Sequence, residues 1–142
     1  MIPFKDLHRL PGSTPSKDNN LPAGALITKV FIPTNSFNAH YHYLKIRDRA
    51  SYAFALVSVA VGLQLSNNKI AAVTLAAGGV AHKPWRLYEA EHYLLGKTAT
   101  ADNFKQAATI AIKDAVALEH NAFKIKLLNN GIQLALKNAM GS

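Results

Sequence analysis

The most regular alternation of hydrophobic and polar positions lies in residues 52–65, and it predicts a β-strand. Apolar side chains recur at every second position on one face, whereas small or polar residues fill the other face. The apolar positions are Val57, Val59, Val61, Leu63 and Leu65. Residues 66–69 (SNNK) have the length and chemistry of a hairpin turn, because Asn tolerates a positive φ. Residues 70–77 are therefore predicted to be the return strand of an antiparallel pair.

The chain before this hairpin divides into two segments of different composition. Residues 1–25 are dense in proline, glycine and asparagine, which predicts an extended entry segment rather than a helix. Residues 26–32 (LITKVFI) combine β-branched and aromatic side chains and end at Pro33, which predicts a further strand. We therefore expect a connector over 1–25 and a single folded domain over 26–140.

The chain after the hairpin shows three helical patterns. The first is predicted to begin at Pro84 and to end before Gly96. The second is N-capped by Thr100 and buries apolar residues as far as Leu118, and the third is capped by Asn121. Strands followed by helices predict an α+β domain, in which three helices pack on a small antiparallel sheet of three or four strands.

Composition limits the classes of protein that fit this pattern. The chain has 142 residues, of which 49% are hydrophobic and 17% charged, enough apolar material for one domain with its own core. The longest apolar run is shorter than the roughly 18 residues of a membrane span. The absence of cysteine excludes disulfides, cysteine-ligated metal centres and a thiol nucleophile from this chain. The first residues lack the apolar core of a signal peptide, so we expect a cytoplasmic location. A periplasmic location, reached through the signal of a partner subunit, is left open.

The net charge of +8 is spread evenly along the chain. Residues 1–49 and residues 50–142 each carry a net charge of +4. A nucleic-acid-binding domain usually concentrates its basic residues in one stripe interleaved with aromatic residues. An ordinary basic surface is therefore the favoured interpretation, and we expect no nucleic-acid partner.

Few residues have the pattern of a self-sufficient active site. His40 and His42 would lie on one side of an extended strand, but no third ligand is evident and no metal site is predicted. Glu89 and Glu91 do not face each other on a helix, so both are expected on a solvated face rather than as an acid–base pair. Gly78-Gly79 matches no nucleotide-binding fingerprint and is expected to be a turn between strand and helix.

Two longer segments carry a resemblance to a known family. Residues 43–60 (YLKIRDRASYAFALVSVA) and 77–86 (AGGVAHKPWR) resemble the C-terminal domain of the FAD-binding subunit of molybdenum hydroxylases. That group includes xanthine dehydrogenases, carbon monoxide dehydrogenase and aldehyde oxidoreductases, and the aldehyde oxidoreductase type is the most similar. Residues 8–12, 26–28 and 120–124 extend the likeness over nearly the whole chain in the same order.

The resemblance implies a fold and a role for the chain. It implies the α+β fold of the CO dehydrogenase flavoprotein C-terminal domain, which closes over the isoalloxazine end of an FAD held mainly by an N-terminal domain. The implied partners are that N-terminal domain, a molybdopterin subunit and a [2Fe-2S] subunit. The chain would then be part of an oxidoreductase and inactive alone. The alternative is a non-catalytic interaction or dimerisation module, and a homo-oligomer of the isolated chain is left open.

The same resemblance assigns three cofactor-binding residues. It implies that Lys45 lies beside the flavin ring, where an ammonium group stabilises the negative charge of the reduced flavin. It also implies that Arg47 and Arg49 belong to a loop that shapes the flavin environment. The competing interpretation is a surface loop in which Asp48 pairs with an arginine. Trp85 is expected to anchor a core or an interface.

Overall fold

A computed structural model describes residues 1–35, 37 and 39–141. Its centre is an antiparallel sheet with the strands side by side in chain order. The strands are β1 (Tyr41–Ile46), β2 (Val57–Ser66), β3 (Lys69–Gly78) and β4 (Trp85–Arg86). The helices are α1 (Phe4–Leu7), α2 (Tyr88–Leu94), α3 (Ala101–Ala111) and α4 (Phe123–Met140). The predicted α+β architecture is confirmed, with α4 packed on β1 and β2, α2 on β3, and α3 against α2 and α4.

The core lies between the sheet and the three longer helices. The alternation predicted for β2 is confirmed, because Val57, Val59, Val61 and Leu63 are all buried on the helix side. A register shift opposite Gln64 and Leu65 leaves Ala71 as the extra residue of a β-bulge. The helices contribute a further set of buried residues, which includes Ala90, Leu94, Phe104, Ala107, Ala108, Leu128, Ile132, Ala135 and Leu136. Such burial stabilises the fold by about 25 cal/mol for each Å² of apolar surface removed from water.

The predicted hairpin turn is confirmed in detail. Ser66 pairs with Lys69, so the loop contains two residues, Asn67 and Asn68. Their φ angles are 49° and 61°, the left-handed conformation that asparagine tolerates better than most residues.

The strand predictions on the N-terminal side were wrong in position. Residues 26–32 are extended but belong to no strand. The sheet edge is formed instead by β1, which was not among the predicted strands. In β1 half-buried positions alternate with exposed aromatic or charged positions, the pattern of a half-exposed edge strand. The predicted strand over 52–65 begins only at Val57, since Tyr52 has a φ of 49° and residues 52–56 form an irregular loop.

The entry segment 1–25 is mostly irregular. It nevertheless contains the single-turn α1 and an isolated bridge between His8 and Asn19. The backbone N–H of Arg9 donates to the carbonyl of Asp18 at 3.1 Å, so the two arms of this segment are held together.

The helix boundaries differ from the predicted ones for local reasons. Pro84 does not begin a helix, because β4 and the bond from the N–H of Leu87 to the carbonyl of Leu75 extend the sheet first. Thr100 caps α3 as predicted, accepting from the N–H of Asn103 at 3.4 Å. That helix ends at Ala111 rather than Leu118, and residues 112–122 are a loop.

The predicted cap of the last helix was also wrong. The side chain of Asn121 accepts a hydrogen bond from the N–H of Leu118 at 2.7 Å, so it closes the loop instead of capping α4. The helix begins two residues later, at Phe123. Within the described residues, none of the helices has the length and apolar character needed to cross a membrane.

Candidate functional site

The two sequence segments that carry the family resemblance meet at one end of the sheet. Lys45 near the end of β1 pairs with Ser58 at the start of β2, and Ser58 pairs with Gly78 at the end of β3. Since neighbouring strands are about 4.8 Å apart, these three residues form a row about 10 Å wide. Residues 43–60 and 77–86, far apart in the sequence, therefore build one surface.

This surface is the sheet face turned away from α2, α3 and α4, here called the open face. On β1 the exposed residues Tyr41, Tyr43 and Lys45 belong to it, whereas Leu44 contacts α4. On the two central strands the open face is lined by small or polar residues. These are Ser58, Ala60, Gly62, Gln64, Ala72, Thr74, Ala76 and Gly78.

The absence of large side chains is required at two points of the open face. A Cβ atom at Gly78 would lie 2.5 Å from the hydroxyl oxygen of Ser58. A Cβ atom at Gly62 would lie 2.8 Å from the ring of Phe37 and 2.9 Å from the hydroxyl of Thr74. The glycines thus allow neighbouring groups to lie close to the sheet. The ring of Phe37 covers the open face at Gly62, so the face is flat and uncovered around Ala60, between Gly62 and Lys45.

Lys45 is an uncompensated cation at the edge of this flat face. Among the residues that the structure describes, no acid lies within ion-pair distance of its ammonium group and no hydrogen bond holds it. It is exposed, next to Tyr43 on the same face of β1. An exposed lysine without a partner keeps its charge available for an anionic or electron-rich ligand.

Arg47 and Arg49 lie just beyond Lys45 in the loop 47–56, and both are exposed. The guanidinium of Arg49 donates to the carbonyl of Tyr52. The pairing of Asp48 with an arginine, which belongs to the competing interpretation, is not formed within the described part of the chain. The structure therefore places all three predicted residues at the same end of the sheet, with Lys45 on a strand and the arginines on a loop.

The loop 47–56 is seated on the end of β3 through Gly79. The N–H of Leu56 donates to the carbonyl of Ile46 at 2.8 Å, which closes the loop at its base. A Cβ atom at Gly79 would lie 2.7 Å from the carbonyl oxygen of Leu56, and Gly79 has a φ of +74°. The chain turns at this position as predicted, but the turn leads from β3 to β4 rather than to a helix. The contact of Gly79 with the loop is an additional constraint. On the other side, the ammonium of Lys124 donates to the carbonyl of Gly79 at 3.1 Å.

His40 and His42, the two histidines considered as metal ligands, contact α4 instead. His40 Nδ1 lies 3.1 Å from the carbonyl of Ala139, and His42 Nε2 lies 3.2 Å from the side-chain amide of Asn138, both on α4. No group of three or more potential metal ligands occurs among the described residues. These histidines join the sheet edge to α4.

Sequence reasoning missed an ion pair between the buried Glu91 of α2 and Arg86 of β4. Glu91, expected on a solvated face, is only 7% exposed. Its Oε1 accepts from the N–H of Leu75 at 2.7 Å and from Arg86 Nε at 2.6 Å, and its Oε2 accepts from Arg86 Nη2 at 2.9 Å. The hydrogen bond to Glu91 raises the pKa of Arg86, and this effect is larger than the opposite effect of partial burial. The guanidinium therefore stays charged. The nearby Glu89 is exposed, as expected, and pairs with Lys113.

A cleft of about 580 Å³ lies between β4, the end of α3 and the start of α4. Trp85, expected to anchor a core or an interface, is 42% exposed and lines this cleft together with Tyr88, so it is not a core residue. Two of the cations in its wall are engaged, since Lys113 pairs with Glu89 at 2.5 Å and Lys124 binds the carbonyl of Gly79. The hydrogen bond that Lys113 donates to Glu89 raises the pKa of Lys113.

The sequence profile of the CO dehydrogenase flavoprotein C-terminal domain matches residues 39–136, well over half of the chain. The chain belongs to this family. The match begins just before β1 and ends within α4, so it includes the open face and the loop 47–56. The predicted family resemblance is thereby confirmed.

Two curated relatives are flavoprotein or medium subunits. The chain is 37% identical over 139 residues to the FAD-binding subunit of an aldehyde oxidoreductase from Escherichia coli K12, covering 97% of this chain and 40% of the relative. It is 34% identical over 86 residues to the medium chain of a glyceraldehyde dehydrogenase from Sulfolobus acidocaldarius, covering 61% of this chain and 30% of the relative. The chain thus spans less than half the length of these relatives.

Solved structures confirm the fold of the family. A CO dehydrogenase from Hydrogenophaga pseudoflava matches with a TM-score of 0.70 and 24% identity, over 78% of this chain and 39% of that chain. A quinoline 2-oxidoreductase from Pseudomonas putida 86 matches with a TM-score of 0.65 and 23% identity, over 72% and 37%. At this level of identity the likeness carries the fold alone.

Proposed function

We propose that the open face of this chain closes the isoalloxazine side of an FAD that an N-terminal domain holds by its phosphates. The observation that carries the proposal is the unpaired ammonium of Lys45 beside a flat face of small residues. Support comes from the family, since the relative that matches over 97% of the chain is an FAD-binding subunit. The chain would contribute one wall of the site and would not be catalytic alone.

The residues of the open face have the chemistry that a flavin ring requires. A planar ring needs a surface without protruding side chains, and Ala60 and Ala76 provide one beside Gly62, which the ring of Phe37 covers. Lys45 would hold a positive charge near the part of the ring that becomes negative on reduction. Bound FAD would supply the redox chemistry, accepting electrons and passing them to an acceptor.

The loop 47–56 is proposed as the rim of this site. Arg47 is exposed and unpaired within the described residues, whereas Arg49 is tied to the backbone of Tyr52. Arg47 would therefore be the arginine that remains free to attract an anionic acceptor, and Arg49 would fix the shape of the loop. The proposed partners are the N-terminal FAD-binding domain, a molybdopterin subunit and a [2Fe-2S] subunit, as the family resemblance implies. One similar structure, a CO dehydrogenase, is described by its molybdenum cofactor, which is in keeping with the second of these partners.

The role of Lys45 can be tested by its replacement with methionine in the assembled, FAD-loaded complex. A charge-assisted interaction contributes about 1.5–3 kcal/mol. For a two-electron couple this range corresponds to roughly 30–65 mV, so Lys45→Met should lower the midpoint potential of the flavin by about that amount. Spectroelectrochemical titration of the flavin measures the shift, and stopped-flow absorbance measures slower flavin reduction.

Lys69→Met is the matched control for this experiment. Lys69 is an exposed lysine at the hairpin end of the same sheet, at the opposite end of β3 from the row that contains Lys45. The control should leave the flavin potential unchanged, and both variants should unfold at the wild-type temperature. An unaltered potential in Lys45→Met would refute the assignment of Lys45 to the flavin.

A further inference from the structure

Residues 26–32 are an extended segment without a strand partner. No backbone hydrogen bond joins any of them to another residue that the structure describes. The apolar side chains of this segment are strongly exposed. They are Leu26 (85%), Ile27 (54%), Val30 (76%), Phe31 (72%) and Ile32 (80%). A segment of high β-propensity with exposed apolar side chains and unpaired backbone groups is unfavourable in water and prone to pair with another strand.

As an extended strand, this segment would present one face without a charge and one face with a single lysine. In an extended chain, Leu26, Thr28, Val30 and Ile32 point to one side, and all are apolar or β-branched. The other side carries Ile27, Lys29 and Phe31, with a charge at its centre. The first face carries no charge and fits a face packed on a core, whereas the second combines two apolar residues with Lys29, whose ammonium must reach water.

The position of the segment in the family comparison indicates where its partner belongs. The family profile begins at residue 39, whereas the similarity to the Escherichia coli FAD-binding subunit covers 97% of the chain and therefore includes residues 26–32. That alignment accounts for only 40% of the relative. The segment is thus shared with the relative but lies outside the residues that the family profile matches.

We propose that residues 26–32 are a donated edge strand, which pairs with a β-sheet edge of the N-terminal, FAD-holding domain. Backbone hydrogen bonds would give this contact its strength, and the face of Leu26, Val30 and Ile32 would enter the core of that domain. This inference rests on the proposed function, because that function supplies the partner domain.

The strand would also position the flavin-facing surface. Residues 33–40 connect it to β1 and span at most about 29 Å when fully extended. Lys45 lies in β1, so pairing of residues 26–32 restricts how far the open face can move from the FAD-holding domain. The donated strand would act as a short tether that raises the effective concentration of one domain at the other.

Amide hydrogen exchange tests the proposed pairing at single-residue resolution. An edge strand turns every second N–H towards its partner and the others towards water. In the assembled, FAD-loaded flavin subunit we expect either Thr28, Val30 and Ile32 or Ile27, Lys29 and Phe31 to exchange roughly 100-fold more slowly than in this chain alone. The other set should exchange at nearly the same rate in both samples. Fast exchange at all of these amides in the assembled subunit would overturn the proposal.

Proline substitution at two adjacent positions gives an independent test. Proline lacks the N–H, so it is tolerated in an edge strand only where that N–H points to water. We expect one of Lys29→Pro and Val30→Pro to weaken association with the FAD-holding domain by at least about 10-fold, and the other to weaken it much less. Equal binding by both variants would overturn strand pairing. The flavin potential of Lys45→Met tests the proposed function separately, so the two ideas can fail independently.

Discussion

Glu91 shows how one buried carboxylate can join three parts of the fold. It receives a backbone N–H from the middle of β3 and two N–H groups from Arg86 in β4, while it belongs to α2. Removal of one partner of such an arrangement leaves charged or polar groups without compensation. The stability of this corner therefore depends on the carboxylate more than on the apolar contacts around it.

We expect Glu91→Gln to lower the free energy of unfolding by about 2–4 kcal/mol, because the amide cannot balance the charge of Arg86 and brings a donor towards it. Urea denaturation followed by circular dichroism measures the change. Glu89→Gln is the matched control, since Glu89 is two residues away and its pair with Lys113 is exposed. The control should change stability by less than about 0.5 kcal/mol. Equal effects of the two substitutions would contradict the role assigned to Glu91.

Gly79 is the residue through which the loop 47–56 rests on the end of β3. Its φ of +74° and the approach of the Leu56 carbonyl are two separate reasons for glycine. Gly96, after α2, has a φ of +76° but nothing within 4 Å of the position of a Cβ atom. A substitution at Gly96 therefore tests backbone strain alone, whereas one at Gly79 tests backbone strain together with a steric contact.

We expect Gly96→Ala to destabilise the chain by about 1–2 kcal/mol, the usual penalty of the left-handed conformation. Gly79→Ala should cost at least about 1 kcal/mol more, because the loop must also move away from the new methyl group. Thermal denaturation compares the two variants, and limited proteolysis should cut the loop 47–56 faster in Gly79→Ala alone. Equal stability and equal cleavage would mean that the loop is not held by this contact.

At the level of whole elements, the hairpin and the fold class could be predicted because their signals are local. The alternation of β2 and the Asn67-Asn68 turn depend on residues that are neighbours in the sequence. The edge strand β1 could not be predicted as easily, because its position depends on β2 beside it and α4 beneath it. Residues 26–32 have the composition of a strand, but no strand of this sheet pairs with them.

The same distinction applies to the candidate site. The resemblance placed Lys45, Arg47 and Arg49 in one short segment, and the structure puts this segment at one end of the sheet. Two contacts near the site join residues that are distant in the sequence. Leu56 lies against Gly79, 23 positions later, and Leu75 donates to Glu91, 16 positions later. No local pattern specifies such pairs, because the contact exists only after the sheet has formed.

As a whole, the molecule offers a surface for the flavin ring of a dinucleotide but no recognisable sequence for binding its phosphates among the described residues. Its open face is flat and carries one free ammonium at its edge. A pyrophosphate is usually held by a glycine-rich turn leading into a helix. Among the described residues, the turns before α2, α3 and α4 contain no such glycine-rich sequence. The proposed function accordingly assigns the phosphates of FAD to the N-terminal domain.

The isolated chain should consequently bind FAD only weakly. We expect a Kd above roughly 1 mM at an ionic strength of about 0.15 M, because the net charge of +8 attracts the pyrophosphate without a fixed site and salt screens this attraction. Isothermal titration calorimetry measures the affinity, and titrations at several salt concentrations should show that the residual binding weakens as salt is added. The assembled flavin subunit is the positive control. The contrary result would be a stoichiometric complex of this chain with FAD at micromolar concentration, with an affinity that does not change with salt. The chain would then bind the whole dinucleotide, and the division of the site between two domains would be wrong.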